Sequence, residues 1–113
     1  MMIIFFNNKK DKKLFESNKE LRKKFGKEQA EKIMLRLTQL ESAENLEALR
    51  SLSQIRAHEL SGNRKGQISL DLKQPYRFLI VPDHKEISRK EDGGLDWKNI
   101  KTIMILGVED THA

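Results

Sequence analysis

The chain has 113 residues, no cysteine and a formal net charge of +5. That length fits one domain, spanning 1–113, with one core and no room for a second lobe. The lack of cysteine excludes disulfides and thiolate chemistry, and it suits a cytoplasmic protein.

The charge is unevenly spread. Residues 1–56 carry 13 Lys/Arg against 8 Asp/Glu, while residues 57–113 carry 9 of each. The surplus sits in residues 9–27, where Lys9, Lys10, Lys12, Lys13, Lys19, Arg22, Lys23, Lys24 and Lys27 face three acids. A basic helix of this kind suits a polyanion such as RNA or an acidic protein partner. It also suits a solvated face that only keeps the protein soluble.

In chain order, Met-Met-Ile-Ile-Phe-Phe is apolar but short, with no basic region before it and no small-residue cleavage site after it. It reads as a buried strand over Ile3–Phe6, not a signal peptide, and no segment is long enough to span a membrane. Asn7 and Asn8 are suited to cap a helix over 9–25, whose Leu14, Phe15, Leu21 and Phe25 fall on one stripe. Gly26 ends it, since glycine enters the left-handed region freely. A second helix follows with Ala30, Ile33, Met34, Leu37 and Leu40 on one face, and Ser42 breaks or re-caps it. A short third helix over 44–52 carries Leu46, Leu49 and Leu52.

From His58 the apolar period changes from 3.6 to 2. Ile68, Leu70 and Leu72 alternate with polar residues over 67–72, as a half-buried strand requires. Gln74 and Pro75 make a turn. In the next strand Tyr76, Phe78 and Ile80 share the core face and Arg77, Leu79 and Val81 the other, and Pro82 ends it. Residues 85–96 read as a polar surface loop, with Trp97 pinning it to the body. The last strand covers 102–108, before a polar tail. Helices grouped before strands imply an α+β fold, a mostly antiparallel twisted sheet with helices on one face. The other face is left free.

The segment His58-Glu-Leu-Ser-Gly-Asn-Arg-Lys-Gly66, the strand text Gln-Ile-Ser-Leu-Asp-Leu, the run Pro75-Tyr-Arg-Phe-Leu-Ile-Val-Pro82 and the closing Asp110-Thr-His112 together resemble the RelE/ParE superfamily of toxins. The likeness runs over nearly the whole chain and is strongest to the HigB-type branch. It implies a RelE-like fold and the toxin of a bacterial type II toxin–antitoxin system. The implied activity is that of a ribosome-dependent mRNA endonuclease, an RNA-binding hydrolase that inhibits translation in the cytoplasm. The implied partners are a cognate antitoxin of helix-turn-helix, HigA-like type and mRNA on the ribosome, with operator DNA reached only through the antitoxin. ParE-type gyrase inhibitors share the fold without the chemistry. A degenerate toxin would keep only antitoxin binding and operon autoregulation.

Metal-free RNA cleavage needs a base for the ribose 2′-OH, cations for the phosphorane and an acid for the leaving 5′-oxygen. His58 and His112 suit the proton transfers, because imidazole titrates near neutrality. Arg77 suits a bidentate phosphate clamp. Arg64 and Lys65, in a glycine-flanked turn, bring further charge to the RNA backbone. The expected catalytic set is therefore His58, Lys65, Arg77 and His112, with Arg64, Lys65 and Arg77 on phosphate. Each also has a bland reading as a strand, turn or tail residue. Thr111 and Val81 stand where relatives often carry a tyrosine and a second arginine. No cofactor or metal is expected: His58, His84 and His112 are scattered, and no phosphate-loop glycine pattern is present.

Overall fold

The computed structural model describes residues 1–83 and 89–110. Ile3–Phe6 is strand β1, Lys9–Phe15 helix α1, Asn18–Phe25 α2, Lys27–Ser42 α3 and Glu47–Arg50 α4. The strands His58–Glu59 (β2), Ile68–Asp71 (β3), Tyr76–Pro82 (β4) and Thr102–Asp110 (β5) follow. Short 3-10 turns at Gly62–Arg64 and Trp97–Asn99 interrupt the last connections. The class is α+β, as expected, with a five-stranded mixed sheet in the order β1-β5-β4-β3-β2. All neighbours are antiparallel except β1 and β5, which run parallel.

The single helix expected over 9–25 is two helices. Asn8 caps the first, its Oδ1 accepting the Asp11 N–H at 2.8 Å. Ser17 then adopts extended dihedrals and its hydroxyl accepts the Glu20 N–H at 3.1 Å. A serine that caps a new helix stops the old one, because its side chain replaces a backbone acceptor. Gly26, at φ +85°, closes α2 and opens α3. The third helix shrinks to one turn. Leu46 and Leu49 are buried, but Leu52 is exposed.

The core lies between the helices and one face of the sheet. Phe78, Ile80, Ile68, Leu70, Ile103 and Ile105 meet Leu21, Ala30, Ile33, Leu40, Leu46 and Leu49 there. Phe15 links the layers, with ring centroids 6.2 Å from Phe6 and 5.8 Å from Phe78. Trp97 is buried and carries the Arg50 guanidinium 4.6 Å above its ring.

The strand β5 contains a bulge. Leu79 pairs with Gly107 and Ile80 with Ile105, so Leu106 is an extra residue without a partner. Gly107 has φ +143°, which favours glycine. The bulge lets Ile103 and Ile105 face the core together with Val108, although strict alternation forbids it.

Three expectations about faces are corrected. The strand β1 is not buried: Ile3 and Phe5 are exposed on one side and only Ile4 and Phe6 turn inward. Met34 is exposed, while Gln29 and Arg36 take the buried positions on α3. Tyr76 is 42% exposed and outside the core, because at the first position of β4 it borders an open cleft beside Phe25, Gly26 and Gln29.

Candidate nucleic-acid interface

The register places His58 and Arg77 on the sheet face away from the helices. Phe78 and Ile80 point into the core, so Arg77 and Leu79 point the other way. His58 pairs with Ser69, Ser69 with Leu79 and Leu79 with Gly107, which makes one transverse row on that face. Asp71, Arg77 and Glu109 form the next row. Arg56 joins it, with Nη1 3.5 Å from Asp71 Oδ2.

The turn after β2 does not stand away from the sheet. It carries Arg64 to Glu109 on β5, with Nη2 to Oε1 at 3.1 Å and Nη1 to Oε2 at 3.4 Å. Glu59 Oε2 accepts the Gly66 N–H at 2.9 Å and Gln67 Oε1 accepts from Arg64 at 3.2 Å, which fixes the turn's shape. Ser69 and Leu79, on the face that the turn crosses, are fully buried. Lys65, at the turn's end, is exposed and has no ion-pair partner among the described residues.

Arg77 is not the exposed mid-strand arginine that alternation suggests. It is 8% exposed, its Nε lies 3.5 Å from Asp71 Oδ1, and its Nη1 donates to the Tyr76 carbonyl at 3.3 Å. Asp71 thus stands between two arginines. Its Oδ1 and the Ser69 hydroxyl are buried side-chain atoms without a hydrogen-bond partner among the described residues. Such atoms are uncommon in folded proteins and are satisfied by water or a ligand where one enters.

His58 is exposed, and its Nδ1 lies 2.9 Å from the Arg56 carbonyl oxygen. A carbonyl only accepts, so Nδ1 carries the proton in this contact. In neutral imidazole the lone pair then sits on Nε2, which leaves that nitrogen able to take a proton. Arg56 holds its carbonyl there from a left-handed backbone, at φ +48°.

Sequence reasoning missed Arg36. It is 4% exposed on α3, and its Nε donates to the Asp71 carbonyl at 2.8 Å. Its Nη1 donates to Gln39 Oε1 at 3.0 Å and its Nη2 to the Gln54 carbonyl at 3.4 Å. Burial lowers the guanidinium's pKa and the charge of Asp71 opposes that shift. Arg36 ties residues 54–57 to β3 where β2 has not yet begun. No local pattern marks it, since an arginine on a helix usually faces water.

The structure thus puts His58, Arg64 and Arg77 on one face, and leaves Lys65 exposed at the end of the adjoining turn. His112 and Thr111 lie outside the described residues. Among the described residues there is no cluster of three His, Cys, Asp or Glu that could hold a metal ion. No helix among them is long and apolar enough to cross a membrane. Arg56, Arg64 and Arg77 face two carboxylates, Asp71 and Glu109, so this row is net positive.

A scan against protein-family models found no match, and neither the curated proteins nor the solved structures gave one.

Proposed function

We propose that this chain is a toxin of RelE/ParE type, on the HigB-like branch, that cleaves mRNA on the ribosome and is neutralised by a cognate antitoxin. The observation that carries the reading is the grouping of His58, Arg64 and Arg77 on the helix-free face of the sheet, with His58 Nε2 free to take a proton. The order of elements, strand then helices then antiparallel strands, also suits the RelE-like fold.

In the proposed reaction the ribose 2′-oxygen attacks the adjacent phosphorus. His58 Nε2 takes the hydroxyl proton, and Arg77 and Lys65 hold the phosphorane oxygens. The P–O5′ bond breaks, leaving a 2′,3′-cyclic phosphate and a 5′-hydroxyl. His112 supplies the proton to the 5′-oxygen. No cofactor is required. The half-exposed Arg64–Glu109 pair contributes about 0–1 kcal/mol, so an RNA phosphate displaces Glu109 at little cost.

A second reading is a degenerate toxin that acts only in antitoxin binding and autoregulation. The Arg77–Asp71 and Arg64–Glu109 pairs favour it, because both arginines already have carboxylate partners. The test is induced expression of the chain alone in a bacterium, with mRNA 5′-ends mapped at once. New ends inside translated codons, lost in His58→Ala, support the endonuclease. Arrest without new ends points to a protein target such as gyrase, and no arrest points to the degenerate form.

A further inference from the structure

The strand β1 lies at one border of the sheet, with β5 on one side and no strand among the described residues on the other. The Ile3 N–H donates to the Lys101 carbonyl at 2.9 Å, so Ile3 and Phe5 turn their backbone groups toward β5. Ile4 and Phe6 therefore turn theirs outward. The side chains are apolar on both faces of this strand. Ile3 and Phe5 are 57% and 49% exposed on the helix-free face. On the other face Met2, Ile4 and Phe6 border a groove of about 840 Å³, closed by α1 and α3 through Phe15 and Leu37.

We propose that two copies of the chain associate through this edge, their β1 strands antiparallel about a two-fold axis at Phe5. The proposal does not depend on the reading of the opposite end of the sheet. In this register Ile4 of each copy exchanges both backbone hydrogen bonds with Phe6 of the other. Phe5 meets Phe5 of the second copy as a non-hydrogen-bonded pair, with Cα atoms about 4.5 Å apart. The five-stranded sheet of each copy continues into the other.

Two observations favour a second copy over another occupant. A strand apolar on both faces is best matched by a strand that is also apolar on both faces, and β1 itself is one. The groove's charged lining is Lys9 and Lys12 with Glu16 and Glu41, which is neutral in sum. A two-fold mate brings the same balanced set, whereas a strongly acidic or basic segment gains no net attraction there. Isologous contacts need this self-complementarity. The overall charge of +5 on each copy opposes approach, so association strengthens as salt screens it.

The chain's lack of cysteine gives a direct test. Phe5→Cys places two thiols within disulfide reach across the axis. Ile3→Cys places them about 14 Å apart, out of reach, since each lies opposite residue 7 of the other copy. Under mild oxidation Phe5→Cys should yield covalent dimer at least about tenfold faster than Ile3→Cys. In sedimentation equilibrium the unmodified chain should show a monomer–dimer equilibrium that Phe5→Lys shifts to monomer. Phe5 is half exposed and outside the core, so both substitutions leave the fold intact. Equal cross-linking rates, or a monomer at concentrations up to about 1 mM, overturn the proposal.

Discussion

Replacing Arg36 by methionine tests whether one buried guanidinium joins α3 to the start of the sheet's charged row. Methionine keeps most of the aliphatic stem and its packing, so the change isolates the polar head. The head makes three hydrogen bonds, but they are unequal. The 2.8 Å bond to the Asp71 carbonyl is short and charge-assisted, the 3.0 Å bond to Gln39 joins two side chains on the same helix, and the 3.4 Å bond to Gln54 is long. A hydrogen bond to a charged group contributes about 1.5–3 kcal/mol, and a buried carbonyl left without a donor costs a similar amount. The two figures overlap, and the recovered desolvation of the guanidinium offsets part of the loss. The expected destabilisation is therefore about 2–3 kcal/mol. For a domain of this size that lowers Tm by about 8–15 °C. Urea unfolding followed by circular dichroism measures it. Hydrogen exchange should also speed up at Asp71, whose N–H donates to the Ile55 carbonyl at 2.7 Å in the segment that Arg36 ties down. A loss below about 0.5 kcal/mol, with Asp71 protection unchanged, would refute the clamp.

Gln29 makes a two-point contact with the backbone of Lys73, donating to its carbonyl at 3.1 Å and accepting its N–H at 2.9 Å. Gln29→Ala should cost about 1–3 kcal/mol in chemical denaturation. The Glu28 carboxylate, hydrogen-bonded to Lys73, is held below its ordinary pKa, first by that bond and then by the lysine's charge. A lowered folded pKa gives stability that is present above the unfolded value and lost as pH falls through the folded one. The wild-type advantage over Glu28→Gln should therefore be constant near neutrality and shrink on acidification below the ordinary carboxylate range. An advantage that grows in acid contradicts the pairing. Glu109→Gln removes the carboxylate facing Arg64, so affinity for single-stranded RNA at low salt should rise several-fold and its salt dependence steepen. Weaker RNA binding would mean that Glu109 orients Arg64 and does not compete with phosphate. Phe78→Ala opens the centre of the core and should cost about 3–5 kcal/mol, read by thermal unfolding.

Much of the fold can be read from local pattern. The periods of 3.6 and 2 locate the helical half and the strand half, because burial on one face imposes them. Asn8 and Gly26 mark helix ends through short-range hydrogen bonding and backbone freedom. Ser17 carries the same kind of signal, but the apolar stripe from Leu14 to Phe25 runs through it and hides the break. The faces are harder to read. Alternation places Arg77 and Leu79 opposite the core correctly, yet it cannot say that Leu79 is fully buried and Arg77 nearly so. Nor can it say that Arg77 meets Asp71. Those facts depend on cross-strand register and on where the turn after β2 folds, and both are long-range. Arg36 and Gln29 were invisible for the same reason, since their partners lie 35 and 44 residues away. Tyr76 shows the limit of alternation at a strand's first residue, where the side chain borders an open cleft beside the α2–α3 junction and is not packed.

The bulge at Leu106 bears on how this chain tolerates changes in length. Its extra residue is the reason that the two halves of β5 can both face the core while remaining out of phase with each other. Removing Leu106 would leave Ile103, Ile105 and Val108 with their present orientations, now in simple alternation. Removing Gly107 would have the same effect, with Leu106 then opposite Leu79. Removing a residue beyond the bulge, such as Glu109, would instead leave the extra residue in place and shift the end of the strand out of register. Among homologous chains, a one-residue gap in this interior strand should therefore fall at Leu106 or Gly107.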